Sequence, residues 1–321
     1  MPSPTLTPPR CEGTLRLPRR RRLGYAEFGP ASGKPLIWFH GTPGARRQIS
    51  PQARELAQEA GIRIVSVERP GIGESTPHEY KRLVDVARDI ERLCDALGIE
   101  RFGVAGLSGG GPYALACAHE MPERVVAAAV LGGVAPAVGP DAAPGGASAL
   151  IRTFGPLMRR ARQPVGSMMR GLVRMLEPLA DGAVLLFART MPPGDRRLFA
   201  DPAVRSMFVE DLILGSRRQM QAICLDVAMF GRAWGFALAD IEVPVYLWYG
   251  DSDTIVPVHH GQHLAQRIPG ARLRIRPGEG HLGGLAASHE VFEAILGHWP
   301  RGDRDEPPRR TEPAHVPSPR S

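Results

Sequence analysis

Phe102-Gly103-Val104-Ala105-Gly106-Leu107-Ser108-Gly109-Gly110-Gly111 is the stretch on which the reading of this chain turns. Its apolar start, 102–105, fits a short buried strand, and the alanine-rich run 112–119 that follows fits a helix whose first turn tolerates proline. Ser108 therefore stands where a strand gives way to a helix. Gly106 and Gly110 flank it, and small residues are what a sharp turn needs where backbones pass closely; such a turn holds the hydroxyl out above a sheet.

Working outward, strands and helices alternate. Upstream, residues 13–28 predict two antiparallel strands with Arg19–Arg22 at the hairpin tip, followed by strands at 35–39 and 62–67 and a helix at 52–60. The run 82–97 carries Leu83, Val86, Ile90, Leu93 and Leu97, the stripe of an amphipathic helix, and Gly98 ends it. Downstream, strands are predicted at 125–131, 243–249 and 271–276, with helices at 257–268 and 291–299. The alternation implies an α/β fold with a mostly parallel central sheet. It stops between Gly133 and Asp240, where runs at 149–162, 166–176, 182–190 and 202–228 are helical in character. The expected organisation is a disordered segment at 1–11, a core made of 12–133 and 240–299, a helical cap inserted at 134–239, and a disordered tail at 300–321.

The turn Gly106-x-Ser108-x-Gly110 resembles the nucleophile elbow of the α/β-hydrolase family, and four further stretches extend that resemblance over nearly the whole chain. His40-Gly41-Thr42-Pro43-Gly44 is similar to the family's oxyanion loop. By the family pattern the backbone amides of Thr42 and Gly109 are the donors for an oxyanion, while His40 is expected to anchor the loop. Glu68-Arg69-Pro70-Gly71-Ile72-Gly73-Glu74-Ser75 resembles a structural turn that carries aspartate at its first position, so the longer Glu68 changes local packing. Gly250-Asp251-Ser252-Asp253 looks like the acid loop; the family's gap from the glycine favours Asp253, and Asp251 is the alternative, better suited to local turn amides. Gly278-Glu279-Gly280-His281 completes the set. Among ten histidines, His281 alone follows a late strand in a glycine-rich loop.

The resemblance implies a serine hydrolase with nucleophile Ser108, acid Asp253 and base His281, in the chain order of that fold. A carboxylic ester with a small or medium apolar acyl group is the expected substrate, cleaved through an acyl-enzyme without cofactor or metal. Serine at the elbow argues against dehalogenase or epoxide-hydrolase chemistry, and HGTPG in place of HGGPG argues against an iminopeptidase. C–C bond hydrolysis and cofactor-free perhydrolysis use the same triad and stay open, as does a ligand-binding or receptor-like protein on a hydrolase scaffold. The glycines at 106–111 do not match a dinucleotide-binding G-x-G-x-x-G.

Composition narrows the class without naming a substrate. The net charge is +7, but the basic residues are nearly all arginine and scattered, which does not suggest nucleic acid. The longest apolar run, 125–138, is broken by Gly132, Gly133 and Pro136, so no membrane span is expected, and the first ten residues lack the apolar core of a signal peptide. A cytoplasmic protein with a small-molecule acyl substrate is the expectation. Four widely spaced cysteines read as buried thiols, and His259, His260 and His263 as surface residues of one helix. Eight methionines between 158 and 229 suggest either an adaptable apolar pocket over the active site or the packing of a small helical core.

Overall fold

The computed structural model describes residues 6–300, and the strands lie in the order their apolar runs suggest. β1 (Cys11–Leu17) and β2 (Arg21–Phe28) form a hairpin; β3 (Lys34–Phe39), β4 (Ile62–Val67), β5 (Phe102–Leu107), β6 (Val125–Leu131), β7 (Val245–Gly250) and β8 (Arg272–Arg276) follow. One eight-stranded sheet results, ordered β1-β2-β4-β3-β5-β6-β7-β8. β2 pairs antiparallel with both its neighbours, and every pair from β4 to β8 is parallel. β5 and β7 are buried at every position, which is why they read as continuous apolar runs and not as alternating ones.

Helices cover both faces of the sheet: α1 (Pro51–Glu59), α2 (Ala87–Ala96) preceded by a 3₁₀ turn, α3 (Gly111–Glu120), α9 (His259–Arg267) and α10 (Ser288–Leu296). α1 starts on Ser50, whose hydroxyl accepts from the Ala53 amide, with proline in the first turn. Two apolar cores result. One packs α2 and α3 through Ile90, Leu93 and Tyr113, and the other packs α1 and α10 through Ala57, Val291 and Ile295.

Between β6 and β7 lie five helices, α4 (Gly146–Leu176), α5 (Ala180–Ala188), α6 (Pro193–Ala200), α7 (Pro202–Ser216) and α8 (Ala222–Phe230), called the cap below. Two predicted helices, 149–162 and 166–176, are one helix of 31 residues that continues through Pro156 and Pro164. Each proline deletes one backbone hydrogen bond, but α8 packs against the stretch that contains them, meeting α4 at Gly155 and Gly166. The single helix predicted at 202–228 is instead two, α7 and α8, separated at residues 217–221, and α6 was not anticipated.

Other expectations are corrected by long-range partners. Of the segment 1–11 expected to be disordered, residues 6–11 are placed: the buried Arg54 guanidinium donates to the Thr7 carbonyl at 2.7 Å, the Arg10 amide to Glu27 O at 2.7 Å, and Cys11 begins β1. Residues 1–5 and the tail 301–321 lie outside the described residues. His260 and His263 are buried, not superficial. His260 Nδ1 accepts from the Ala135 amide at 3.1 Å and His263 Nε2 donates to Asp141 O at 2.8 Å, so both pin the chain leaving β6. Burial, with His259 and His263 adding to it, pushes His260 down to about 4. Cys94, Cys117 and Cys224 are buried thiols, while Cys11 is only half-buried.

Candidate active site

Ser108 follows β5 with φ +51°, a left-handed conformation that costs an L residue energy and that the surroundings must enforce. The enforcement is visible in the flanking glycines. A methyl group on Gly106 would lie 2.3 Å from the Gly110 carbonyl oxygen, and one on Gly110 would lie 2.3 Å from the carbonyl oxygen of Phe39. The turn is therefore too tight for any side chain on either side of the serine.

The loops after β7 and β8 bring two more groups to that hydroxyl. His281 Nε2 is 2.7 Å from Ser108 Oγ, and His281 Nδ1 is 2.7 Å from Asp253 Oδ2. The carboxylate can only accept, so Nδ1 carries the proton and Nε2 is left to accept from the serine. Asp253 is itself fixed, because its Oδ1 accepts from the Ile255 and Val256 amides at 2.8 Å each. Asp251 points elsewhere and accepts from the Gly278 amide at 2.8 Å and the Ser252 hydroxyl at 3.0 Å. Of the two aspartates left open by the sequence, the structure brings Asp253 to the histidine.

The oxyanion loop leaves β3 and comes up beside the elbow. A side chain on Gly109 would meet Thr42 Oγ1 at 2.3 Å, so glycine is required there for the two expected donors to stand together. The Thr42 amide makes no backbone hydrogen bond among the described residues. His40 is fully buried, its Nδ1 donating to Gly41 O at 2.8 Å and its Nε2 accepting from the Arg69 amide at 3.2 Å. Burial, then the Arg69 cation, holds it well below the ordinary histidine range, as a neutral anchor. The longer Glu68 is accommodated because Gly24 and Gly73 have no side chains where its carboxylate lies, and Arg46 and the Glu74 amide take its two oxygens.

Residues that sequence reasoning did not single out hold these loops from the cap. Asp226, on α8, accepts from the Thr42 hydroxyl at 2.8 Å through one oxygen and from the Tyr113 hydroxyl at 2.8 Å through the other. Arg69 Nη2 donates to Thr42 Oγ1 at 2.7 Å and lies 3.1 Å from Asp226 Oδ2. Burial pushes the Asp226 carboxyl up, with Arg69 pulling against it. Asp211, on α7, accepts from the Ala45 and Arg47 amides at 2.7 and 2.9 Å, and burial raises it to about 7. Asp195, on α6, accepts from the Leu282 amide next to His281 at 3.2 Å. Three buried cap aspartates thus hold the oxyanion loop and the histidine loop.

A cavity of about 230 Å³ opens over Ser108 and His281. Val184, Phe187, Phe199, Phe208, Leu212 and Ile255 form its apolar wall, and of the eight cap methionines only Met191 reaches it. Met207, Met220 and Met229 are buried, with Met207 and Met229 packed into the two cores that flank the sheet, whereas Met168 and Met175 are exposed. Of the two readings of the methionines, packing therefore fits Met207, Met220 and Met229, and the pocket fits Met191. Asp211 is the one carboxylate on the wall, and each of its oxygens accepts one backbone amide. Among the described residues no group of three or more His, Cys, Asp or Glu is placed to hold a metal ion.

A family model described as alpha/beta hydrolase fold matches residues 34–286. A proline iminopeptidase of Xanthomonas citri is 36% identical over 120 residues, which is 36% of this chain and 37% of that protein. One from Arabidopsis thaliana is 32% identical over 120 residues, 31% of its own length. The chain therefore matches only about a third of the length of these relatives. Among solved structures, a thermophilic esterase from Thermogutta terrifontis superposes with a TM-score of 0.63 at 19% identity, covering 89% of this chain and 97% of that one. A bromoperoxidase from Bacillus anthracis gives 0.64 at 20%, covering 90% and 99%. At such identities the likeness is one of fold, and with the family match spanning most of its length the chain belongs to the α/β-hydrolase fold family.

Proposed function

We propose that this protein is a serine hydrolase whose substrates are carboxylic esters with apolar acyl groups. The observation that carries the reading is the unbroken relay Ser108 Oγ, His281, Asp253, with both links at 2.7 Å, at the floor of an apolar cavity. His281 Nε2 takes the hydroxyl proton as Ser108 Oγ attacks the acyl carbonyl, and Asp253 holds the imidazolium that forms. The Thr42 and Gly109 amides receive the oxyanion. His281 returns the proton to the leaving alcohol, then activates the water that releases the acid.

A peptidase is the second reading, favoured by the relatives named proline iminopeptidase. An aminopeptidase must hold a substrate ammonium, which in an apolar cavity calls for an unengaged carboxylate. Asp211 is the acid on the wall; each of its oxygens already accepts one amide, from Ala45 and Arg47, and burial raises its carboxyl to about 7, so it presents less than a full negative charge at neutral pH. This observation supports the ester over the amine-bearing substrate.

Purified protein should hydrolyse p-nitrophenyl esters, with kcat/KM rising with acyl chain length until the cavity is filled, and should not release p-nitroaniline from prolyl-p-nitroanilide. Ester activity that survives in Ser108→Ala would sink the reading of Ser108 as the nucleophile. Prolyl anilide turnover above ester turnover would replace the substrate class.

A further inference from the structure

Among the described residues thirteen large apolar side chains are exposed, and eleven of them lie between Leu150 and Phe187, on α4 and α5 and the turn between them. On α4 they recur every three or four residues: Leu150, Phe154 and Leu157, then Met168, Leu172 and Met175, followed by Leu179. An amphipathic surface helix ordinarily turns such a stripe to the core. Here the helix lies the other way round. It rests on α8 through Gly155 and Gly166, where side chains would come within 3.3 Å of Val227 O and 3.0 Å of Gln221 Cγ, and it leaves its leucines and methionines outside.

The charge on the same helix has one sign. α4 holds Arg152, Arg159, Arg160, Arg162, Arg170 and Arg174 and no acidic residue. Glu79 pairs with Arg159 and Arg162, while Arg152, Arg160 and Arg174 have no acidic partner among the described residues. The apolar surface also reaches the site. Phe187 and Ile255 are each more than half exposed and also line the cavity over Ser108.

We infer that the outer face of α4 and α5 docks on an anionic lipid surface, with the cavity mouth at its edge. The occupant follows from the combination of features. A second copy of the chain would set arginines against arginines across an α4–α4 contact, whereas an anionic bilayer accepts both the apolar stripe and the cations that border it. Residues 301–321 contain a single large aliphatic residue, Val316, too little apolar surface for the stripe. No helix among the described residues is long and apolar enough to cross a membrane, so the contact is interfacial. The inference rests on the proposed ester hydrolysis only for what such docking achieves, namely delivery of apolar acyl substrates from the lipid phase.

The test is co-sedimentation of the full chain with vesicles of phosphatidylcholine mixed with phosphatidylglycerol, and with vesicles of phosphatidylcholine alone. The protein should pellet with the anionic vesicles and be released by high salt. Met168→Glu with Leu172→Glu should weaken that binding by about tenfold or more, since two large side chains no longer enter the lipid. Arg160→Glu with Arg174→Glu should remove the preference for phosphatidylglycerol. Both pairs should keep wild-type turnover of p-nitrophenyl acetate, because neither lies in the cavity. Protein that stays in the supernatant, or binding indifferent to both pairs, would overturn the inference. So would a stable dimer in light scattering that Met168→Glu with Leu172→Glu converts to monomer, because the face would then belong to a second copy. Ester activity in Ser108→Ala would overturn the proposed chemistry and leave vesicle binding standing, so the two failures are distinguishable.

Discussion

The elbow around Ser108 and the helix α4 obey opposite rules. At the elbow, glycines permit a conformation that a single residue needs, and the reason is backbone against backbone: Gly106 against Gly110 in the same turn, and Gly110 against Phe39 at the end of the neighbouring strand β3. In α4, glycines permit one helix to lie on another, and the large apolar residues that usually make such a contact face outward. Glycine spacing in the turn thus reports a conformation imposed on one residue, whereas glycine spacing in the helix reports the close approach of a second helix.

Four measurements would break or sharpen that contrast. The largest effect belongs to the elbow. Ser108→Ala should leave the melting temperature within a few degrees of wild type and lower kcat by about 10⁴-fold or more, with loss of fluorophosphonate labelling. An alanine variant that still labels would show that the tight turn presents some other nucleophile. Next in size, Asp253→Asn should lower kcat by up to about 10⁴-fold, because the imidazole loses the acceptor that sets its tautomer. Asp251→Asn should cost less than about tenfold, since that carboxylate serves only the Gly278 amide and its neighbour Ser252. A reversal of the two would assign the acid to the other aspartate.

The third measurement moves to the cap. Asp226→Asn keeps the shape of the side chain but leaves the buried Arg69 without a counter-charge and Thr42 without its carboxylate. Stability should fall by about 3 kcal/mol in urea unfolding. Turnover should fall between about 10- and 100-fold with KM little changed, as a displaced oxyanion donor requires. An unchanged kcat in a folded variant would confine Asp226 to stability and leave catalysis to the elbow and its loops.

The smallest effect is in pH dependence. Burial raises the folded-state Asp211 carboxyl to about 7, whereas an exposed aspartate titrates near ~3.9. Between these values the folded state binds more protons than the unfolded one. The contribution of Asp211 to stability is thus complete below pH ~4 and is lost as pH rises through about 7. Melting temperatures of wild type and Asp211→Asn measured across that range should differ in slope, the wild type losing more on going from acid to neutral pH. Parallel profiles would mean that the carboxylate stays ionised throughout on its two amide donors.

Which parts of the molecule were legible in the sequence follows from the same contrast. Strands β5 and β6, the elbow, His281 and the order of the loops depend on short spacings and apolar runs, so they could be read directly. Between the aspartates at 251 and 253 the gap from Gly250 favours Asp253, and the structure sets that one against His281 while Asp251 accepts from the Gly278 amide. Asp226 lies 184 positions from Thr42, and nothing in the intervening sequence marks the pairing. The buried histidines were misread because helical spacing shows which residues share a face and not what covers it; Ala135 and Asp141 cover this one. The outward stripe of α4 was unreadable for the converse reason, since its periodicity is that of a core helix.

The three aspartates that reach from the cap to the loops bear on how such a protein can change. Asp195, Asp211 and Asp226 lie on three successive segments, α6, α7 and α8, and their partners are the Leu282, Ala45 and Arg47 amides and the Thr42 hydroxyl. A cap exchanged for that of a relative would inherit vacant donors on both loops unless it brought acceptors to the same places. Recombination across residues 134–239 is therefore constrained by the hydrogen bonds of these three aspartates more than by the shape of the cavity. New specificities would be reached more readily by changing Val184, Phe187, Phe199 or Phe208 one at a time, within a cap left whole.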